Sequence, residues 1–269
     1  PDIANASRPM KKSEFDACKA KGVKDIIEIK IGFDGIVVAM DKSAPNYNFK
    51  LEHLYMGLAQ SVSRGGQFVN NPYKTWKDVS GELPSGRILV YGPPPTSGTR
   101  DAWSELAMEG GAKKIPALKA LSDTDEKAFK TRSHQLRSDG AWIDAGENDN
   151  AIVGTIEKTP GALGVFGYSF LEENASRIKA ASVNGVKPTP ATIASGAYPV
   201  SRTLFIYVKK SSVGVVPGLK DFLTEFTSDA AAGRGGYLSQ RGLIPLPPAQ
   251  HEAMKATAAK LTPMAAPKK

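Results

Sequence analysis

Three consecutive prolines, Pro93 to Pro95, divide the stretch GRILVYGPPPTSGTRDAWSELAMEG (86–110) into two unlike halves. Proline fixes φ, lacks an N–H and pushes the preceding residue out of the helical region, so neither a strand nor a helix runs through this point. Before it, Ile88, Leu89 and Val90 form an apolar run closed by Gly92, which reads as a short buried strand. After it, Trp103, Leu106, Ala107 and Met108 recur on one helical face, which reads as a helix over about residues 100–110. Ser97 or Thr99 is the N-cap, and Asp101 and Glu105 suit the positive end of the helix. The stretch is therefore strand, rigid turn and helix N-terminus, a place where backbone N–H groups point outward.

Two covalent or nucleotide chemistries are excluded by spacing. A nucleotide phosphate loop needs G-x-x-x-x-G-K-[ST], but the sixth position from Gly92 is Ser97, and Gly98 is followed by Thr99 and Arg100. A hydrolase elbow needs G-x-S-x-G, but Pro95 and Thr99 stand where the glycines belong, and no histidine lies at an evident partner position. Anion capture without covalent chemistry remains. Ser97 and Thr99 offer hydroxyls, Gly98 lets backbone approach a ligand, and Arg100 adds a permanent charge. An equally weighted reading is that Ser and Thr only cap the helix and Arg100 pairs with an acid.

Composition narrows the class. With 41% hydrophobic and 23% charged residues, the 269-residue chain is an ordinary globular protein of one or two domains. No apolar stretch approaches the about 20 residues of a membrane span. The net charge of 35 − 27 = +8 is scattered, its densest basic cluster being the terminal PKK, so nucleic-acid binding is not expected. Cys18 is the only cysteine, which rules out an intramolecular disulfide and a cysteine-rich metal site. His53, His134 and His251 lack metal-ligand spacing, so no metal or cofactor is expected. The chain opens at Pro1, and nothing about targeting follows from that.

Elsewhere the pattern predicts a strand end, a turn and a helix over 12–21 stopped by Gly22, then a strand over IIEIKIGFDGIVVAMD (26–41). That strand changes from alternation to a mostly apolar run, as if passing between two packing environments. Residues 48–62 read as a helix, 63–86 mostly as loop anchored by Trp76, and 123–140 as polar helix. Residues 146–174 read as helix, turn, strand and short helix; 191–203 as loop; and 202–210 as strand. Residues 216–233 read as an amphipathic helix with Leu219, Phe222, Leu223 and Phe226 on one face, and a turn and a helix close the fold before a frayed tail. Strands alternating with helices give an α/β class with largely parallel sheets.

The segments PTSGTRDAW (95–103), RSDGAWIDAGENDNAIV (137–153), TPGALGVFGYSF (159–170), YPVSRTLFIYV (198–208) and GLIPLP (242–247) follow in order. With DIANASRPM (2–10) and FDGIVVAM (33–40), they resemble the phosphate-binding proteins of bacterial ABC phosphate transporters, in the branch with a Ser-Arg pair in the first motif. The resemblance implies a type II-like periplasmic-binding-protein fold, in which two α/β lobes with mixed or parallel sheets are joined by crossover strands and close on phosphate. It places the lobes at 1–35 with 204–269, and at 36–203. It implies no catalysis, metal or cofactor. The expected partners are inorganic phosphate and a membrane permease, with the protein acting as a monomer in the periplasm or at the cell surface. A sensor, a binder of another oxyanion, or a Ser97-dependent hydrolase or phosphatase are the alternative readings.

Carried over by position, Ser97, Gly98 and Thr99 match the phosphate loop of the family, and Ser7 matches the place where many relatives have a proton-accepting Asp, with Arg8 beside it. Two departures follow. Many relatives carry an arginine four residues before the loop serine, where this chain has Pro93, so Arg8, Arg100 or Arg137 must supply the charge, Arg8 and Arg137 being preferred. Relatives also carry a segment ahead of the Ser-Arg motif, so the first lobe is expected to be incomplete. Phosphate keeps a proton near neutral pH whereas sulfate does not, so its site needs an acceptor. Asp34 in GFDG is the first choice, with a turn role as its alternative. Asp139 and Glu147 are weaker choices, Asp139 as a turn residue or partner of Arg137, Glu147 and Asn148 as caps of the next helix.

Overall fold

A computed structural model describes residues 1–146 and 148–268, and Glu147 lies outside the described residues. The chain forms two compact units, the first made of Pro1–Asp34 and Arg202–Lys269, the second of Gly35–Ser201. In chain order the strands are β1 (Ile3–Ala6), β2 (Ile26–Asp41), β3 (Asn48–Phe49), β4 (Ser61–Arg64), β5 (Gln67–Asn70) and β6 (Val90–Gly92). They continue with β7 (Trp142–Asp144), β8 (Leu163–Gly167), β9 (Ile178–Ala180), β10 (Ser182–Val183), β11 (Ser201–Lys209) and β12 (Ile244–Pro245).

In the first unit β11 lies between β1 and β2, and β12 pairs antiparallel with β2 at Phe33 and Gly32. Alternation along β2 puts Ile27, Ile29 and Ile31 on one face, where they pack with Ile206, Val208, Leu219, Leu223 and Ala258. Each such aliphatic side chain contributes about 1.5–3 kcal/mol when fully buried. Phe15, Ile26, Phe205 and Tyr207 form a second cluster. The helix Lys12–Ala20 stops before Gly22, whose φ of +85° suits glycine at a helix end. The amphipathic segment after residue 216 is a shorter helix, Leu219–Phe226, followed by Asp229–Ala232. Leu219 and Leu223 are buried there, but Phe222 is exposed and stacks on Phe226. The helical period of 3.6 puts Phe222 at the margin of the apolar stripe.

In the second unit the later half of β2 pairs antiparallel with β8 and β9, while β8, β6 and β7 run parallel. The sheets are therefore mixed, as the resemblance implies, and the α/β class holds; only the largely parallel pairing read from the alternation of strands and helices is corrected. Ile36 to Met40 are all buried, in contrast to the alternation over Ile27–Ile31, so the change of pattern within the strand does mark a change of environment. Val37, Ala39, Phe166 and Ile178 pack with Ile152, Val153 and Ile156 from the helix Asp149–Lys158.

Trp76 is fully buried against Phe49, with Tyr47 beside them, as the anchor reading requires. The region expected to be mostly loop also holds the β4–β5 hairpin and a helix, Trp76–Val79. Gly65 and Gly66 both have positive φ, the conformation a two-residue hairpin turn demands, so their glycines signal a tight turn. A short helix, Pro190–Ala194, likewise occupies part of the expected loop before β11. Among the described residues no helix is long and apolar enough to cross a membrane.

Candidate functional site

Strand β6 lies between β7 and β8, and its C-terminal residue Gly92 delivers the chain into the triple proline. Gly92 and Pro93 are buried, so the turn starts from a fixed point. Ser97 N donates to Pro94 O at 3.0 Å, which closes the turn. Ser97 O then accepts from Arg100 N and Asp101 N, and Ser97 Oγ accepts from Thr99 N at 3.2 Å. Ser97 is therefore the N-cap of the helix Gly98–Trp103, which runs on through a π turn, Ser104–Met108, into Glu109–Ala112. The strand read within 86–92 is present as Val90–Gly92, and the helix read from about 100 opens two residues earlier, at Gly98.

Gly98 has a different reason from most glycines in the chain. Its φ is not positive, and a Cβ built on it would meet nothing within 4 Å. Neither backbone strain nor packing requires glycine there. A small residue in the first helical turn, with open space over it, permits close approach of an oxyanion to backbone N–H groups and to the positive end of the helix. Ligands of α/β sheets bind at the C-terminal ends of parallel strands, and β6, β7 and β8 end here at Gly92, Asp144 and Gly167.

Arg100 is committed to its own loop. Its Nη1 donates to Asp144 Oδ1 at 2.6 Å and to Pro93 O at 2.9 Å, and its guanidinium lies 5.0 Å from the Trp142 ring centroid. Trp142 Nε1 donates to the same Asp144 oxygen at 2.8 Å. The ion-pair reading of Arg100 is the one the structure adopts.

Arg137 is also committed. Its side chain is 3% exposed, with Nε and Nη2 on the two oxygens of Asp139 and Nη1 on both Gly57 O and Tyr73 O. The Arg137 hydrogen bond, with further help from its charge and the Ala141 N–H, holds the Asp139 carboxyl down to about 2. Gly140 follows with a φ of +87°, so Asp139 is both turn residue and partner of Arg137.

The remaining sequence candidates lie in the first unit. Ser7 and Arg8 follow β1, whose Ala6 is opposite Phe205. Arg8 donates from Nη1 and Nη2 to the two oxygens of Glu14 and from Nη1 to Pro9 O. That pairing, with the Lys11 N–H, holds the Glu14 carboxyl down to about 2. Asp34 ends the first-unit part of β2 and accepts from Arg202 Nε at 2.9 Å. Among the described residues, no group of His, Cys, Asp and Glu is arranged to hold a metal ion.

With this geometry in hand, residues 1–230 match the PBP superfamily domain. The chain belongs to the PBP superfamily. Protein SphX of Synechococcus elongatus is 30% identical over 253 residues, covering 91% of this chain and 63% of that protein. The phosphate-binding protein PstS of Staphylococcus saprophyticus is 29% identical over 255 residues, covering 91% of this chain and 65% of that protein. The chain thus spans a little under two thirds of the length of these PBP relatives. Among solved structures, a possible phosphate binding protein from Planctomyces limnophilus matches with a TM-score of 0.70 and 28% identity, over 96% of this chain and 80% of that one. PstS from Borrelia burgdorferi shares the fold, with a TM-score of 0.60 and 19% identity over 91% of this chain and 79% of that one.

Asp144, Trp142 and Arg202 of this PBP superfamily chain were not singled out from sequence. Asp144 and Trp142 lie within a motif given above, but the Arg100–Asp144 pair spans 44 residues, and the contacts of Arg100 with both leave no local pattern. Arg202 likewise meets Asp34 across 168 residues.

Proposed function

We propose that this chain binds inorganic phosphate non-covalently and serves a bacterial ABC phosphate transporter, delivering its ligand to the membrane permease from the periplasm or the cell surface. The observation that carries the reading is the Ser97-capped helix start, with Gly98 open at the C-terminal edge of three parallel strands. The relatives include phosphate-binding protein PstS, which supports phosphate as the oxyanion. Ser97, Gly98 and Thr99 contact it directly. Ser7, Arg8 and Asp34 are further candidates by position along the sequence, and Arg137 fixes the Asp139 turn.

Each of the arginines considered pairs with a carboxylate, namely Arg8 with Glu14, Arg100 with Asp144 and Arg137 with Asp139. Recognition by oriented N–H and O–H groups, more than by net charge, follows from that neutralisation. On this reading Ser97 is a helix cap and ligand contact, its Oγ accepting from Thr99 N, while His53, His134 and His251 are engaged with Lys50 N, Glu109 and Thr227 O.

Calorimetric titration of the chain with phosphate and with sulfate tests the proposal. Phosphate binding that Ser97→Ala weakens, without turnover of a chromogenic phosphate ester, is the expected result. Equal affinity for the two anions overturns phosphate selectivity, and ester turnover lost in Ser97→Ala overturns the transport reading.

A further inference from the structure

We infer that a cationic groove in the second unit, between β5 and the helix Glu126–His134, is a docking site for an acidic, extended peptide segment of a partner protein. It is independent of the phosphate reading. Helical spacing builds the groove. Phe129 and Ser133 turn into the core, whereas Ala128, Arg132 and Gln135 recur at i, i+4 and i+7 and share another face. With Lys127, Phe68 of β5 and Leu121 of the helix Pro116–Thr124, that face lines a groove of about 510 Å³, within the size range of binding clefts.

Charge decides the occupant. Arg132 forms no ion pair among the described residues, and its guanidinium lies instead 4.0 Å from the Phe68 ring centroid. Stacking uses a face of the guanidinium and leaves its edge N–H groups for a carboxylate, which they take on two parallel bonds. Lys127 is exposed and likewise forms no ion pair among the described residues. The acid of the groove, Asp125, caps its own helix, with Oδ1 accepting from Ala128 N at 2.9 Å. By contrast Arg8, Arg100, Arg137 and Arg202 each meet a carboxylate of this chain. Two cations without an acid of their own are complementary to carboxylates brought from outside.

Strand β5 decides the occupant's shape. Among the described residues it pairs with β4 alone, and Gln67, Val69 and Asn70 are exposed. A strand with an unpartnered edge offers main-chain N–H and C=O groups to an added strand. Phe68 and Leu121 then give an apolar residue beside the acid a surface to pack on.

The test titrates the full, isotope-labelled chain with Ac-Ala-Glu-Leu-Glu-Ala-amide and with the same peptide carrying glutamine for glutamate. Amide signals of Phe68, Leu121 and Arg132 should move. The glutamate peptide should bind about tenfold more tightly, with the difference shrinking in about 0.5 M salt. Arg132→Glu should cut that affinity by about tenfold or more, and Arg132→Lys by less, because the charge stays and the fork is lost. Lys220→Glu, the same charge change on an exposed residue of the first unit, should leave it standing. Phosphate should not displace the peptide. Absent binding, equal binding of the two peptides, an unchanged affinity in Arg132→Glu, or displacement by phosphate overturns the inference. So does self-association of the chain that Arg132→Glu abolishes, which makes the occupant a second copy. Benzoate binding more tightly than the peptide overturns it in favour of a small carboxylate. If Arg132→Glu does not fold, Lys127→Glu decides: a reduced affinity supports the inference and an unchanged one overturns it. A chain that takes the peptide and ignores phosphate overturns the proposed function and leaves this inference intact.

Discussion

Arg100 and Asp144 meet at 2.6 Å across the mouth of the Pro93–Ser97 turn, and Trp142 Nε1 shares the same carboxylate oxygen. The contact ties the first turn of a helix to the end of β7 and, through Pro93 O, to the turn between them. Arg100 is thereby part of the frame that holds the Pro93–Ser97 turn.

Removing that frame should be felt first in stability. Arg100→Leu leaves Asp144 and Pro93 O without their shared donor, and a loss of about 1–3 kcal/mol is expected by chemical denaturation. Phosphate affinity should fall less than in Ser97→Ala, because Arg100 positions the loop and is not itself the contact.

Ser97→Ala removes the cap on Thr99 N. About 1 kcal/mol of stability should go with it, visible in a thermal melt. Calorimetry should show phosphate affinity lower by about tenfold or more, since a hydrogen bond to a charged oxyanion is lost together with the cap.

Gly98→Ala separates folding from binding most cleanly. The added methyl meets nothing within 4 Å, and alanine favours a helix, so the unfolding midpoint should stay level or rise slightly. Phosphate affinity should drop, because the methyl stands where the anion approaches the backbone. Unchanged affinity by calorimetry would remove Gly98 from the site.

The Asp139–Arg137 pair sets an acid limit on the second unit. The Arg137 hydrogen bond holds the Asp139 carboxyl down to about 2 in the folded chain, below the ordinary carboxylate range, so the native state favours the ionised form. The stabilisation is present above the unfolded value and disappears as pH falls toward the folded one. Melts recorded from neutral pH down to about pH 2 should show this loss, and Asp139→Asn should flatten that part of the profile while lowering stability near neutrality.

The local elements were legible because their causes are local. Alternation marked the first part of β2, continuous apolar burial marked its second part, and Pro93 to Pro95 with Ser97 marked the turn and cap. The Gly65–Gly66 hairpin was missed because glycine-rich sequence was read as loop, although adjacent positive-φ positions are what a tight hairpin needs. Parallel or antiparallel pairing is a property of how the chain returns, and the alternation of strands and helices did not reveal the antiparallel partners of β2.

The same division holds at the site. Residue type and spacing by themselves determined that Ser97, Gly98 and Thr99 open a helix after a rigid turn, and excluded the nucleotide loop and the hydrolase elbow. Only the tertiary structure decided what each arginine does: Arg100 goes to Asp144, Arg137 to Asp139, Gly57 and Tyr73, and Arg202 to Asp34. A cap is made within three residues of backbone, so its chemistry is written locally. Three of these contacts, Arg100–Asp144, Arg137–Gly57 and Arg202–Asp34, join residues 44, 80 and 168 positions apart. Such contacts exist only once the strands have paired and burial has made an unpartnered charge too costly to keep.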